Sequence, residues 1–222
     1  MKFRSVFDVI GPVMVGPSSS HTAGAVRIGL IARRIFAKEP EKIRITLYGS
    51  FKDTYKGHGT DIALIGGLLG YDTADKRIRT SIETAEEKGI DFKFIESDIE
   101  HIHPNTAKIE IEGHGDVLDL VGKSIGGGKM VLFELLGFDV HISGDFPTAF
   151  IFFDFSENNK KELLEEIENI FSKKIVTNKL SNSVIERKGL FTVELIEIPD
   201  EVTIEKITKL EYVKNLKIAD KL

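Results

Sequence analysis

The sequence predicts an α+β protein in two parts, residues 1–145 and residues 146–222. Three observations carry this expectation. Helix-like apolar spacing is concentrated in residues 21–88. From about residue 90 to 143 the chain alternates apolar and polar residues at period two, with Gly, Asn and Asp between the runs. After residue 146 the pattern becomes strand–helix–strand–strand–helix–strand over some 75 residues, the ferredoxin-like order.

The elements follow in order. Residues 1–15 read as a short strand and turn ending at Met14-Val15. From His21 to Lys38, the apolar residues Val26, Ile28, Leu30, Ile31 and Phe36 alternate with Arg27, Arg33, Arg34 and Lys38. This is an amphipathic helix, started by the serines before it and closed by Pro40. KIRITLYGS (42–50) is a strand. YGSFKDTYKGHGTD (48–61) is a polar loop, GTDIALIGGLLG (59–70) a short buried helix capped by Thr60, and 74–88 a charged helix ended by Gly89. IDFKFIES, TAKIEIEG, DVLDLVGKS, KMVLFELLG and DVHIS then form a mostly antiparallel sheet. FPTAFIFFDF (146–155) opens the second part. A helix over NNKKELLEEIENIFSKK, strands near 175–184 and 189–198, a helix over DEVTIEKITKLE and a strand at VKNLKIAD complete it.

Composition narrows the function classes. The chain has 222 residues, 41% of them hydrophobic, enough to build a core. A net charge of −5 and a pI near 5.8 argue against a nucleic-acid surface. No run of 18 apolar residues predicts a membrane span, and the N-terminal segment, interrupted by Asp8 and Pro12, does not read as a signal peptide. A cytoplasmic protein is expected. There is no cysteine, so the chain supplies no disulfide, no thiol nucleophile and no thiolate-ligated iron–sulfur cluster. His101 and His103 lie two apart without a carboxylate pair to complete a metal site, and no metal ligands are assigned. His101, His114 and His141 read as structural or solvent-facing.

Three polar clusters stand out. The first is GPSSSHTAG (16–24): Ser18, Ser19, Ser20, His21 and Thr22 lead into a helix, whose free N–H groups and positive end suit an anion. Capping needs one hydroxyl, and four are present. The second holds Gly57-His58-Gly59, an imidazole between two residues without side chains, where a substrate could approach closely. Thr60 and Asp61 follow, and Ser50, Thr54 and Lys56 add polarity. Asp61 alone is better read as a helix-start carboxylate. The third joins HPNTA (103–107) with KSIGGGK (123–129), where Gly126, Gly127 and Gly128 permit unusual backbone angles. Lys123 and Met130 break the spacing of a phosphate loop, and no dinucleotide fingerprint exists.

Four motifs in the same order, SVFDVIGPVMVGPSSSHTAGAVRIG, LYGSFKDTYKGHGTDIALIGGLLG, HPNTAKI and SIGGGK, resemble the β chain of bacterial iron–sulfur-dependent L-serine dehydratase (L-serine ammonia-lyase) over most of residues 1–145. Residues 146–222 look like the ACT domain that ends that β chain. The first part is also similar to the allosteric substrate-binding domain of some phosphoglycerate dehydrogenases. The resemblance implies deamination of L-serine to pyruvate and ammonia, without pyridoxal phosphate, by a lyase active only with an α chain that carries a [4Fe–4S] cluster. The absent cysteines fit that two-chain form. It further implies His58 as the base that takes the α-proton, and Ser18, Ser19, Ser20, His21 and Thr22 as substrate-binding residues. His103 and Asn105 are implied as further substrate-binding residues, near the substrate entrance or the subunit contact. Gly57, Gly59, Thr60, Asp61, Ser124, Gly126, Gly127 and Gly128 are implied as supporting residues. FDFSENNKKELLEE lacks the glycine at which ACT domains commonly approach an effector, so an assembly role through homo-association is expected there. The alternative reading is a non-catalytic serine-sensing or assembly subunit of the same complex.

Overall fold

The computed structural model describes residues 12–99, 103–155, 159–183 and 187–222. The initial strand expected up to residue 15 lies mostly outside these residues, as does His101; residues 12–18 are irregular. A π-helical turn, Ser19–Ala23, runs into α1 (Gly24–Phe36). Then come β1 (Lys42–Tyr48), α2 (Gly49–His58), α3 (Thr60–Leu68), a 3-10 turn (Lys76–Thr80) and α4 (Ser81–Glu87). Five strands follow: β2 (Asp91–Ser97), β3 (Thr106–Gly113), β4 (Asp116–Gly126), β5 (Lys129–Leu135) and β6 (Phe138–Ile142). After these lie β7 (Thr148–Asp154), α5 (Lys160–Phe171), β8 (Ile175–Ser183), β9 (Lys188–Leu195), α6 (Glu201–Thr208) and β10 (Val213–Ala219). The chain is α+β, as expected.

Two compact units result: one runs to Gly137 and takes in His141–Ser143, the other holds Phe138–Val140 and Gly144–Lys221. The strands form a six-stranded sheet, ordered β2-β1-β3-β4-β5-β6, and a four-stranded sheet, ordered β10-β7-β9-β8. The second order, with α5 after β7 and α6 after β9, is the ferredoxin-like arrangement. Its core joins Ile151, Phe153, Leu163, Ile167, Phe171, Phe191, Val193 and Ile207.

In the first unit β1 and β2 are parallel, while β1–β3, β3–β4 and β4–β5 are antiparallel. The parallel pair requires a long crossover, and the three helices between β1 and β2 supply it. Ile43, Ile45 and Leu47 of β1, Ile109 and Ile111 of β3, and Leu120 of β4 are fully buried or nearly so. So are Val26, Ile28, Ile31 and Ile35 of α1 and Leu64, Ile65 and Leu68 of α3. The helix α1 ends earlier than Pro40 predicts, because Ala37 turns left-handed (φ 62°) and its N–H closes on Arg33 O.

The segment expected as a loop, residues 49–58, is the helix α2. Periodicity missed it because Phe51 is its only buried residue. Phe51 anchors the helix, and Gly59, left-handed at φ 67°, ends it while its N–H bonds Tyr55 O. Residues 74–88 are likewise not one helix. Asp75 caps a 3-10 turn through Arg77 N–H, and α4 is short.

The helices α1 and α3 meet backbone to backbone. A Cβ on Gly67 would lie 2.1 Å from Val26 O and 2.6 Å from Leu30 N, and one on Gly29 would lie 2.3 Å from Leu64 O. Gly67→Ala is expected to lower stability by about 3 kcal/mol, since the overpacked atoms are backbone and cannot rotate away. Gly57→Ala, with nothing within 4 Å of the added carbon, is expected to be neutral or stabilising through helix propensity. Thermal unfolding of the two variants checks the contrast.

In the second unit Glu194 on β9 is 8% exposed, and its Oε1 has no hydrogen-bond partner among the described residues. Burial pushes its carboxyl up, with the Asp145 carboxylate adding to the effect. The folded state therefore favours the protonated acid, and its stabilising contribution is lost as pH rises through the raised value. Glu194→Gln is expected to be more stable than the parent at pH 8, with the advantage fading toward pH 4. Denaturant unfolding across that range measures it.

Candidate active site

The serine turn is organised around His21. Ser18, extended at φ −135°, caps the turn by accepting the His21 backbone N–H at 3.1 Å. The Ser18 and Ser20 hydroxyls lie 3.3 Å apart. The His21 ring is held on both edges: Nδ1 is 3.0 Å from Ser20 Oγ and 3.5 Å from Ser18 Oγ, and Nε2 is 2.9 Å from Ser50 Oγ. Ser50 stands in the first turn of α2, and the Phe51 ring packs edge-on at 5.5 Å. Ser19 is half-buried in the same turn.

His58 closes the arrangement from the other end of α2. Its ring meets the His21 ring edge to face, with centroids 4.9 Å apart and planes at 81°. Thr22, fully buried, donates its hydroxyl to His58 O at 3.2 Å. His21 and Thr22, neighbours in sequence, thus grip the first and last turns of one helix. His58 itself is exposed, and the space beside Gly57 is open. His58 is therefore the last residue of a helix rather than part of a loop, and Gly59 is the left-handed residue that ends it.

Glycines bring the remaining cluster to the same place. A Cβ on Gly24 would lie 2.1 Å from Ser124 Oγ, so the first turn of α1 sits directly on β4. Ser124 N–H donates to Asn105 O at 2.9 Å. Ser124 Oγ and Asn105 Oδ1 are buried without a partner among the described residues. Gly126, Gly127 and Gly128 all have positive φ (91°, 60° and 75°). They form the β4–β5 hairpin, in which Gly126 pairs with Lys129. Gly128 faces Pro12 and Ala23, where a Cβ would lie 2.5 Å and 3.3 Å from its neighbours. Pro104 O accepts the Phe51 N–H at 3.3 Å, which seats the HPN segment on the start of α2. His103 Nδ1 accepts Asn105 N–H at 3.2 Å. Burial, with the Lys123 charge adding, lowers the His103 pKa.

Two expected residues do not join the hydroxyl–imidazole cluster. The Asp61 carboxylate accepts its own helix's Ile62 N–H at 2.8 Å, and burial raises its pKa. Thr60 is fully buried at the head of α3, where Gly59 is the cap; Thr60 Oγ1 has no partner among the described residues. Ser50 and Phe51, in contrast, are central. The sequence named Ser50 only as added polarity; its signal was its place just after a strand and a Gly, at a helix start. Among the described residues no group of three His, Asp or Glu side chains could hold a metal ion, and the chain has no thiolate.

Burial, then the nearby His58, lower the His21 pKa below the ordinary 6.5, against a smaller opposing pull from the Ser50 backbone. His21 is accordingly neutral at pH 7. Its contribution to stability is full above the ordinary value and is lost as pH falls below it. An NMR titration of the six histidine rings is expected to show His21 titrating below 6.5.

The site's residues fall in a region with known relatives. Residues 5–134 match the family described as serine dehydratase beta chain. The chain is 47% identical over 224 residues to the probable L-serine dehydratase beta chain of Bacillus subtilis, covering 99% of this chain and 100% of that one. It is 42% identical over 149 residues to the L-serine dehydratase beta chain of Peptoniphilus asaccharolyticus, covering 66% of this chain and 67% of that one. It is also similar to the L-serine dehydratase of Streptomyces coelicolor, at 32% identity over 161 residues, 61% of this chain but 35% of that one. A match over more than half of the chain, together with end-to-end similarity to a β chain, establishes that this protein belongs to the serine dehydratase beta chain family.

Proposed function

We propose that this chain is the β subunit of a cytoplasmic L-serine dehydratase, an L-serine ammonia-lyase active with an α chain. The observation that carries the reading is the meeting of the serine turn with His58, rings 4.9 Å apart, at the open end of α2. The chain's own donor set does not fit an iron–sulfur cluster, since cluster ligation needs thiolates and it has none. The [4Fe–4S] cluster is therefore assigned to the α chain, which would present it to the substrate hydroxyl.

In this reading the serine turn receives the zwitterion. The leading N–H groups at Ser19 and Ser20, ahead of the first intrahelical acceptor, take the carboxylate, and the hydroxyls of Ser18 and Ser20 line the approach, while the buried Thr22 hydroxyl holds the end of α2 through His58 O. His58, exposed beside open space, takes the α-proton. Loss of that proton and of the β-hydroxyl, as water, leaves 2-aminoacrylate. This tautomerises to the imine, and addition of water releases ammonia and pyruvate. Ser124, Asn105 and His103 form the adjoining wall, shaped by Gly126, Gly127 and Gly128. The second unit is proposed as an ACT domain that serves assembly, with β8 and β10 as the outer strands through which two copies associate.

The test is pyruvate formation from L-serine under anaerobic conditions by this chain paired with a cluster-loaded α chain. The pair is expected to be active and each chain alone inactive. In the pair, His58→Ala is expected to lower turnover by roughly 100- to 10,000-fold while L-serine still binds. Retained turnover with altered dependence on L-serine would instead support the serine-sensing reading.

A further inference from the structure

The helix α2 ends in His58 but has little apolar surface of its own to hold that end in place. Phe51, near its start, is its one buried residue, so hydrophobic packing fixes the first turn and not the last. The last carbonyls of a helix also lack partners within it. His58 is the last residue of α2, and its carbonyl accepts the Thr22 hydroxyl at 3.2 Å. The direction of this bond is set by chemistry, because a carbonyl can only accept.

Thr22 is built into its place. It is 1% exposed, and Gly16, at φ 127°, lies against it. A Cβ on Gly16 would stand 2.4 Å from Thr22 Cγ2 and 2.7 Å from Thr22 Oγ1. The first glycine of the GPSSSHTAG run thus makes room for the threonine side chain. A hydroxyl has one proton, and that of Thr22 goes to His58 O.

Two consecutive residues therefore hold one residue of another helix. His21 meets the His58 ring edge to face, with centroids 4.9 Å apart, and Thr22 holds the His58 main chain. His58 is otherwise exposed. Contacts on both its ring and its carbonyl fix where the residue sits and which way the ring faces.

We propose that Thr22 is a positioning residue for the base: its hydroxyl, through the His58 carbonyl, sets the His58 imidazole against the serine turn that receives the substrate. Thr22 acts through His58 and not on the substrate itself. This rests on the dehydratase reading above, in which His58 takes the α-proton. Proton transfer needs the base within hydrogen-bond reach, and a displacement of about 1 Å costs on the order of 100-fold in rate. The carboxylate is bound by the turn alone. Loss of the Thr22 hydroxyl is therefore felt in turnover and not in affinity.

The experiment uses this chain paired with a cluster-loaded α chain. Thr22→Val, which keeps the shape and removes the hydroxyl, is expected to lower kcat for L-serine about 10- to 100-fold, with KM nearly unchanged. Thr22→Ser, which keeps the hydroxyl, is expected to recover most of that rate. In a His58→Ala background, Thr22→Val is expected to cause no further loss, because the ring it positions is gone. A rise in KM with kcat unchanged, or an equal fall in kcat in both backgrounds, overturns the proposal. Circular dichroism checks the fold, and Thr22→Ala takes the same place if Thr22→Val does not fold. The full chain alone gives a readout without turnover. The nuclear Overhauser effect between the His21 and His58 ring protons is expected in the parent and in Thr22→Ser, and is expected to weaken in Thr22→Val. An unchanged ring contact in Thr22→Val overturns the proposal. Failure of the dehydratase reading shows separately, as absence of pyruvate formation by the parent pair while the ring contact still depends on the Thr22 hydroxyl.

Discussion

The contact on which the first unit depends is the one between the backbones of α1 and α3. At Gly29 and Gly67 neither helix has a side chain, and each glycine faces the other helix's main chain. Dispersion falls off within fractions of an ångström, so a fit this close fixes the helices in one relative placement. That placement is felt at the helix starts. The serine turn leads into α1, and His58 and Gly59 lead into α3. Holding the two helices together brings the two starts to the same corner, where Thr22 bonds the carbonyl of His58.

The same device recurs at smaller scale around that corner. Gly24 lets α1 sit on Ser124 of β4, Gly128 lets the hairpin fold onto Ala23, and Gly49 accepts Pro104 against it. Each contact couples a segment rich in hydroxyl or imidazole groups to its neighbour. The polar groups are then satisfied mostly by one another: His21 by Ser20 and Ser50, Ser18 by His21, Asn105 by Ser124 through the backbone. The buried, unpartnered Ser124 Oγ and Asn105 Oδ1 are the exceptions. Such groups are costly unless something pairs with them, and they adjoin the serine turn.

Electrostatics follows from this packing. His21 is neutral because it is shielded and lies beside a second imidazole, whereas His58, one helix length from Ser50, faces solvent. Two histidines in ring contact thus have different surroundings, one held by hydroxyls and one exposed. The second unit shows the structural counterpart in Glu194, a carboxyl buried on the central strand β9 with no partner for one oxygen.

The sequence by itself determined the α+β class, the period-two strands from β2 to β6, the βαββαβ order of the second part, and the membership of Ser18–Thr22 and His58 in polar clusters. These signals are local: strand alternation, helix starts and glycine-flanked residues are properties of a few consecutive positions. Only the tertiary structure decided that residues 49–58 are a helix, since one buried Phe51 gives no periodicity and the helix is held by contacts with Pro104, His21 and Thr22. It alone decided that β1 and β2 run parallel, that the triple glycine is a hairpin turn, and that Ser50 meets His21 across 29 positions of sequence. Those outcomes depend on which distant backbones can approach each other, and the residues that permit the approach are glycines, whose pattern in sequence does not name the partner.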